Sequence, residues 1–140
     1  MDRKEFLATL GIGAAAFACA FCFDGCQSED QVVSPGPSNV DFTLDLNDSA
    51  NSALKSNGGF VYNNVGVIVA RTVNGDYVAV SFRCTHQGST VQYVSSGNRF
   101  FCPSHGSNFA TSGAVINGPA TSPLTSYHTS LSGTSLRVFS

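Results

Sequence analysis

From Asp41 onward, apolar and polar positions alternate in short runs, the period of half-buried strands, and no window of about 11 residues carries a helical stripe. Phe42, Leu44 and Leu46 alternate with polar neighbours. Residues 65–73 and 77–82 flank Asn74-Gly75, a dipeptide suited to the positive φ angles of a tight two-residue hairpin turn. Residues 91–94 and 99–102 flank Ser95-Ser96-Gly97-Asn98, and residues 127–131 and 135–139 flank Ser132-Gly133-Thr134. Both patterns predict further hairpins. The expected body is all-β, an antiparallel sandwich or small barrel, long enough to bury one modest core without disulfides.

The start of the chain follows a different pattern. Arg3 and Lys4 precede residues 6–23, a run without charge dominated by Gly, Ala, Phe and Leu. A basic segment followed by an apolar one reads as an export signal. The run sits at the lower edge of bilayer-spanning length and is only moderately hydrophobic, so a signal is preferred to a permanent transmembrane anchor. Arg3-Lys4-Glu5-Phe6-Leu7 resembles a twin-arginine export signal with Lys at the second basic position. Phe23-Asp24-Gly25-Cys26 resembles a bacterial lipobox, with Cys19 after Ala18 as the competitor. A lipidated Cys26 would tether the protein to a membrane surface, and the polar stretch Gln27-Ser28-Glu29-Asp30 suits a tether. The expected organisation is an export signal over residues 1–26, a flexible Pro- and Ser-rich linker over 27–40, and a domain over 41–140. The implied location is the periplasm or cell envelope of a bacterium, membrane-associated.

Composition removes several function classes. Charged residues make up 11% of the chain, against about 25% in a typical soluble domain. Seven Lys and Arg face nine Asp and Glu, so no basic stripe exists for a nucleic-acid backbone. Three of the five cysteines lie in the first 26 residues, leaving Cys84 and Cys102 in the body. That excludes a disulfide-dense scaffold. Those two either pair with each other or bind a metal.

The body's candidate chemistry is confined to two short motifs. Cys84-Thr85-His86 stands at the end of the strand leaving the first hairpin, and Cys102-Pro103-Ser104-His105 at the end of the second. Each offers one thiolate and one imidazole, in the pattern C-x-H-x15-C-x2-H. A hairpin of that length brings its ends together, so the four donors can converge. Gly88 and Gly106 follow the histidines and permit tight loop turns. A structural zinc site draws on the same donor types but favours C-x2-C or H-x3-H blocks. An exported chain with two cysteines would by default staple them as a disulfide; the histidines at matching offsets argue against that default.

Cys84-Thr85-His86-Gln87-Gly88 and Cys102-Pro103-Ser104-His105-Gly106-Ser107 resemble the Rieske iron–sulfur family in residue type and order. The resemblance implies a [2Fe–2S] cluster, one iron held by Cys84 and Cys102 and the outer, solvent-facing iron by His86 and His105. The likeness runs from about Phe60 to Ser140, with a cluster-binding subdomain of hairpin loops over about 82–122. It makes Ser107 a donor to a bridging sulfide and Gly118-Pro119-Ala120 a proline loop covering the cluster, with Pro119 beside it. Residues 41–59 show only a generic β pattern.

Departures from the family pattern carry information too. Quinol-oxidising members join two further cysteines in a disulfide, and those positions are Ser89 and Ser104 here. Phe109 stands where high-potential members place a hydrogen-bonding Tyr, although core packing explains a Phe equally simply. Gln87 replaces the Leu of their docking tip. The resemblance then implies a potential between those of the respiratory members and the oxygenase-type ferredoxins.

Two function classes follow. The first is an exported one-electron carrier, or a subunit of a larger oxidoreductase, that meets redox partner proteins and has no substrate-converting site of its own. A mononuclear oxygenase iron needs two histidines and a carboxylate, and only His128 remains once two are spent. The second is an exported β-sandwich binding or structural module stapled by a Cys84–Cys102 disulfide or by zinc. Composition fits both; the paired spacing favours the first.

Overall fold

The computed structural model describes residues 36–140, and these form two antiparallel sheets. The export, lipidation and anchoring expectations, together with the first part of the linker, lie outside the described residues. Ten strands follow in chain order: β1 (Asp41–Asp45), β2 (Phe60–Tyr62), β3 (Val67–Arg71), β4 (Tyr77–Ser81), β5 (Gln92–Val94), β6 (Arg99–Phe101), β7 (Asn108–Ala110), β8 (Val115–Asn117), β9 (Ser126–Ser132) and β10 (Ser135–Phe139). The larger sheet runs β1-β10-β9-β4-β3-β2, and the smaller runs β5-β6-β7-β8. The chain leaves the larger sheet after β4, builds the smaller one, and returns at β9, so both ligand motifs belong to a single excursion.

The buried apolar residues form two clusters. The Val67-Ile68-Val69-Ala70 run of β3 is fully buried and divides its side chains between the two, as the alternation of a strand requires. Ile68 and Ala70 join Val80, Phe100 and Phe109 beneath the smaller sheet, together with Cys84 and Cys102. Val67 and Val69 face Leu54, Leu136 and Val138 on the other side. Phe42 and Leu44 of β1 pack on this second cluster, in keeping with their alternation. Phe100 is buried while its neighbour Phe101 is half-buried, opposite faces of one strand.

Two local expectations change. The turn at Asn74-Gly75 is a three-residue loop: Thr72 and Asp76 still pair, and only Gly75 has a positive φ, +90°. This is a type I turn closed by a bulge, which needs one left-handed residue where a two-residue Asn-Gly turn needs two. The two-residue turn lies instead at Gly133-Thr134, because Ser132 pairs directly with Ser135. Residues 41–59 hold more than strand: Ser49–Lys55 form a 3-10 helix capped by Asp48, whose carboxylate accepts the Ala50 N–H. That helix buries Leu54 completely, and its carbonyl accepts from Tyr77 Oη at 3.2 Å and Arg71 at 3.4 Å. Residues 36–40, the described part of the expected linker, make contacts with the domain. Gly36 N–H donates to Thr125 Oγ1, Tyr127 Oη donates to the Pro37 carbonyl at 2.7 Å, and Val40 is buried.

Candidate metal centre

The two ligand motifs fold into loops of the same construction. In the first, Cys84 N–H donates to the Ser89 carbonyl at 2.7 Å and Gly88 N–H donates to the Cys84 carbonyl at 2.7 Å. In the second, Cys102 N–H donates to Ser107 O at 2.9 Å and Gly106 N–H to Cys102 O at 3.0 Å. Each loop closes through a glycine with positive φ, +76° at Gly88 and +83° at Gly106, in space open enough for a Cβ. The positive φ by itself favours glycine there. The histidine falls two residues after the cysteine in one loop and three after in the other, so the loops repeat in backbone while presenting their imidazoles from successive positions.

The donors come together as two pairs. Cys84 and Cys102 are unbonded, buried thiols in contact with each other. Burial pushes the Cys84 thiol up, as does its neighbour Cys102, while the His86 and Gln87 N–H groups donate to its sulfur and oppose the rise. The His86 and His105 rings meet edge to face with centroids 4.9 Å apart. His105 is exposed and His86 half-buried. Among the described residues, no three His, Cys, Asp or Glu side chains gather around a point that would hold a single ion. Thiol beside thiol and imidazole beside imidazole suits two metals bridged to each other better than one tetrahedral zinc.

One atom tests the fit of such a group. His86 Nδ1 is buried and has no hydrogen-bond partner. A buried polar atom left alone costs about 1–3 kcal/mol, whereas a metal bond would occupy its lone pair. Ser107 supplies a second sign. Its fully buried Oγ accepts the Ala120 N–H at 3.0 Å, leaving the hydroxyl proton to be donated elsewhere. That contact also holds the loop containing Pro119, which is itself exposed. Thr85 holds the same loop from the other side, its Oγ1 donating to the Ser122 carbonyl at 2.6 Å.

The profile of the Rieske [2Fe-2S] domain matches residues 46–128, more than half of the sequence. The chain belongs to the Rieske [2Fe-2S] domain family. A [2Fe–2S] cluster is the cofactor of this domain, and the donors described above fit it. The chain is 39% identical over 77 residues to a cytochrome b6-f complex iron-sulfur subunit from Chlorobaculum thiosulfatiphilum, a match covering 55% of this chain and 42% of that relative. It thus spans less than half the length of that subunit. Among solved structures, it resembles the plasma membrane Rieske protein of Synechocystis PCC 6803 at 36% identity and a TM-score of 0.55, over 64% of this chain and 93% of that one. The ferredoxin of carbazole 1,9a-dioxygenase from Nocardioides aromaticivorans shares the fold at 20% identity and a TM-score of 0.56, covering 74% and 98% of the two chains. The all-β Rieske architecture expected from the sequence is therefore present.

Several residues around the Rieske site carried no signal of their own in the sequence. Thr85 lies between two donors yet acts on the opposite loop. Asn108 and Asn117, opposite each other on β7 and β8, are bonded side chain to side chain at 2.8 Å. Asn117 stands directly before Gly118-Pro119, the one hint available. His128 is exposed on β9 and packs against Phe139, away from the two motifs in the fold. Phe109 is completely buried core.

Proposed function

We propose that this protein transfers single electrons through a [2Fe–2S] cluster held by Cys84 and Cys102 on the inner iron and by His86 and His105 on the outer iron. The orphaned, buried Nδ1 of His86, in a ring touching that of His105, is the observation that carries the assignment. When bound, the cluster would supply a one-electron couple. The chain's residues seat it and control its exposure. Burial of both thiols puts the cysteine side in the apolar core, while the exposed ring of His105 supplies the edge through which a partner gains electronic contact.

Ser107, whose Oγ already accepts the Ala120 N–H, would donate its hydroxyl proton to cluster sulfur, and the loop bearing Pro119 would cover the site. Buried Phe109 offers no hydroxyl in the second position, so the potential falls between the extremes of the family, which span about −150 to +300 mV. The protein is exported by the segment of residues 1–26, whose last residue, Cys26, stays on the mature chain as its membrane tether, and works as a carrier or subunit beside redox partner proteins. In support, one relative is a cytochrome b6-f complex subunit and one structural neighbour is a plasma membrane protein. No helix among the described residues is long and apolar enough to cross a membrane.

Iron and acid-labile sulfide analysis, with a low-temperature electron paramagnetic resonance spectrum of the dithionite-reduced protein, tests this reading. Two irons, two sulfides and a rhombic signal with a low average g are expected. A colourless protein that gives no such signal after reconstitution with iron and sulfide would return the chain to a disulfide- or zinc-stapled module. Mass spectrometry of the mature N-terminus tests the tether, since an intact Met1 excludes both cleavage and lipidation.

A further inference from the structure

Arg99 begins a chain of oriented side chains that ends on the second ligand loop and on the covering loop. Its Nε donates to Asn108 Oδ1 at 2.7 Å, which fixes that amide with its NH2 group turned away. Asn108 Nδ2 then donates to Asn117 Oδ1 at 2.8 Å and to the Gly106 carbonyl at 3.2 Å. With its oxygen taken, Asn117 aims its own Nδ2 at the Gly106 carbonyl, 3.2 Å, and at the Gly118 carbonyl, 3.1 Å. Gly97 leaves room for the guanidinium, because a Cβ there would collide with it.

The carbonyl that receives two amides follows His105 directly and opens the peptide to Ser107. In a trans peptide, the carbonyl and the next N–H point in opposite directions. Holding the Gly106 carbonyl toward the asparagines therefore holds the Ser107 N–H away from them, and among the turn and loop bonds of the described residues no backbone carbonyl receives that N–H. The Gly118 carbonyl, held by the same Asn117, opens the covering loop that Ser107 Oγ grips at Ala120. One amide pair thus sets both a ligand loop and its cover.

We propose that Asn108 and Asn117 are positioning residues of the cluster site: by clamping the Gly106 and Gly118 carbonyls they fix the direction of the Ser107 N–H and hydroxyl, and so help to set the reduction potential. This rests on the cluster assignment above. Hydrogen bonds directed at cluster sulfur favour the reduced, more negative state, so slackening the clamp lowers the potential.

The test uses Asn108→Leu and Asn117→Ala, singly and together, in the cluster-loaded full chain. Iron, sulfide and thermal midpoint stay near wild type. At a fixed poise the ratio of reduced to oxidised protein falls about tenfold, ~59 mV for one electron. The double variant falls little further than either single one, because both side chains act on one carbonyl. Asn117→Gln, which keeps an amide donor, recovers part of the loss. Potentials equal to wild type in both single variants overturn the proposal, whereas a wild-type protein without iron and sulfide overturns the cluster assignment instead. If a variant binds no cluster, amide exchange decides: acceleration at Ala120, whose N–H bonds Ser107 Oγ, relative to β10 supports the clamp, and unchanged exchange overturns it.

Discussion

Ser104 Oγ donates to Ser89 Oγ at 2.7 Å, joining the tips of the two ligand loops by a single hydrogen bond. These are the positions where the Rieske resemblance places the disulfide cysteines of quinol-oxidising members. Here the link is non-covalent and indifferent to redox conditions. Ser89 is half-buried and Ser104 exposed, so the bond contributes only about 0.5–1.5 kcal/mol. Ser104→Ala should lower the unfolding free energy by no more than this in denaturant titration. Paired substitution, Ser89→Cys with Ser104→Cys, should close a disulfide across a loop of about 15 residues, stabilising by ~3 kcal/mol. Thiol counting and a rise in denaturation midpoint check it; two extra free thiols under oxidising conditions would show that the loop tips lack the reach.

Removing a donor should act on the centre as a unit. Cys102→Ala and His86→Ala each take away one quarter of the proposed ligand set, and each should abolish the rhombic resonance and leave fewer than two irons per chain. His128→Ala should leave both unchanged, since His128 lies exposed on β9 against Phe139. A wild-type spectrum in Cys102→Ala or His86→Ala would remove that residue from the ligand set.

Leu54 offers a way to separate stability from the centre. Its side chain is fully buried in the core cluster that contains Val67, Leu136 and Val138, whereas Cys84 and Cys102 belong to the other. Leu54→Ala should cost about 2–5 kcal/mol in global unfolding, through lost transfer energy and the cavity left behind. The resonance spectrum of the folded fraction should not shift. A shifted spectrum would mean that the two cores are mechanically coupled.

Alkaline pH should destabilise the fold through two tyrosines. Burial raises the Tyr62 and Tyr127 hydroxyls above 10.0, and these donate to the Val91 and Pro37 carbonyls. The folded state keeps its protons where the unfolded chain loses them. The contribution is therefore full below pH 10 and is lost as pH rises through the folded-state values. Tyr62→Phe and Tyr127→Phe should each flatten the decline above pH 10 in a series of denaturant titrations. An unchanged slope in both would assign alkaline unfolding to other groups. At the acid end, the exposed Asp41–Arg137 pair lowers the Asp41 carboxyl through its hydrogen bonds, so its effect is present above pH 3.8 and fades as pH falls through the lowered value.

The strand class, and the donor set proposed for the cluster, were legible in the amino-acid sequence because both are written in short spacings. A period of two along β1 and the offsets of Cys84, His86, Cys102 and His105 survive any reading that ignores long-range contacts. Gly106 was legible for the same reason, since a positive φ is a property of one residue. The tertiary structure decided what depends on partners distant in the chain. Whether Asn74-Gly75 or Gly133-Thr134 makes the tight turn is set by strand register, which the pairing of whole strands imposes. Leu54 is buried because Arg71 and Tyr77 hold a 3-10 helix by its carbonyl, contacts that no local pattern announces. Asn108 and Asn117 are unremarkable as letters; they matter because antiparallel pairing of β7 with β8 sets them opposite one another, with Arg99 turning the first amide and the first turning the second. Local periodicity is a property of the covalent chain, but the direction of a hydrogen bond depends on which atom folding brings to meet it.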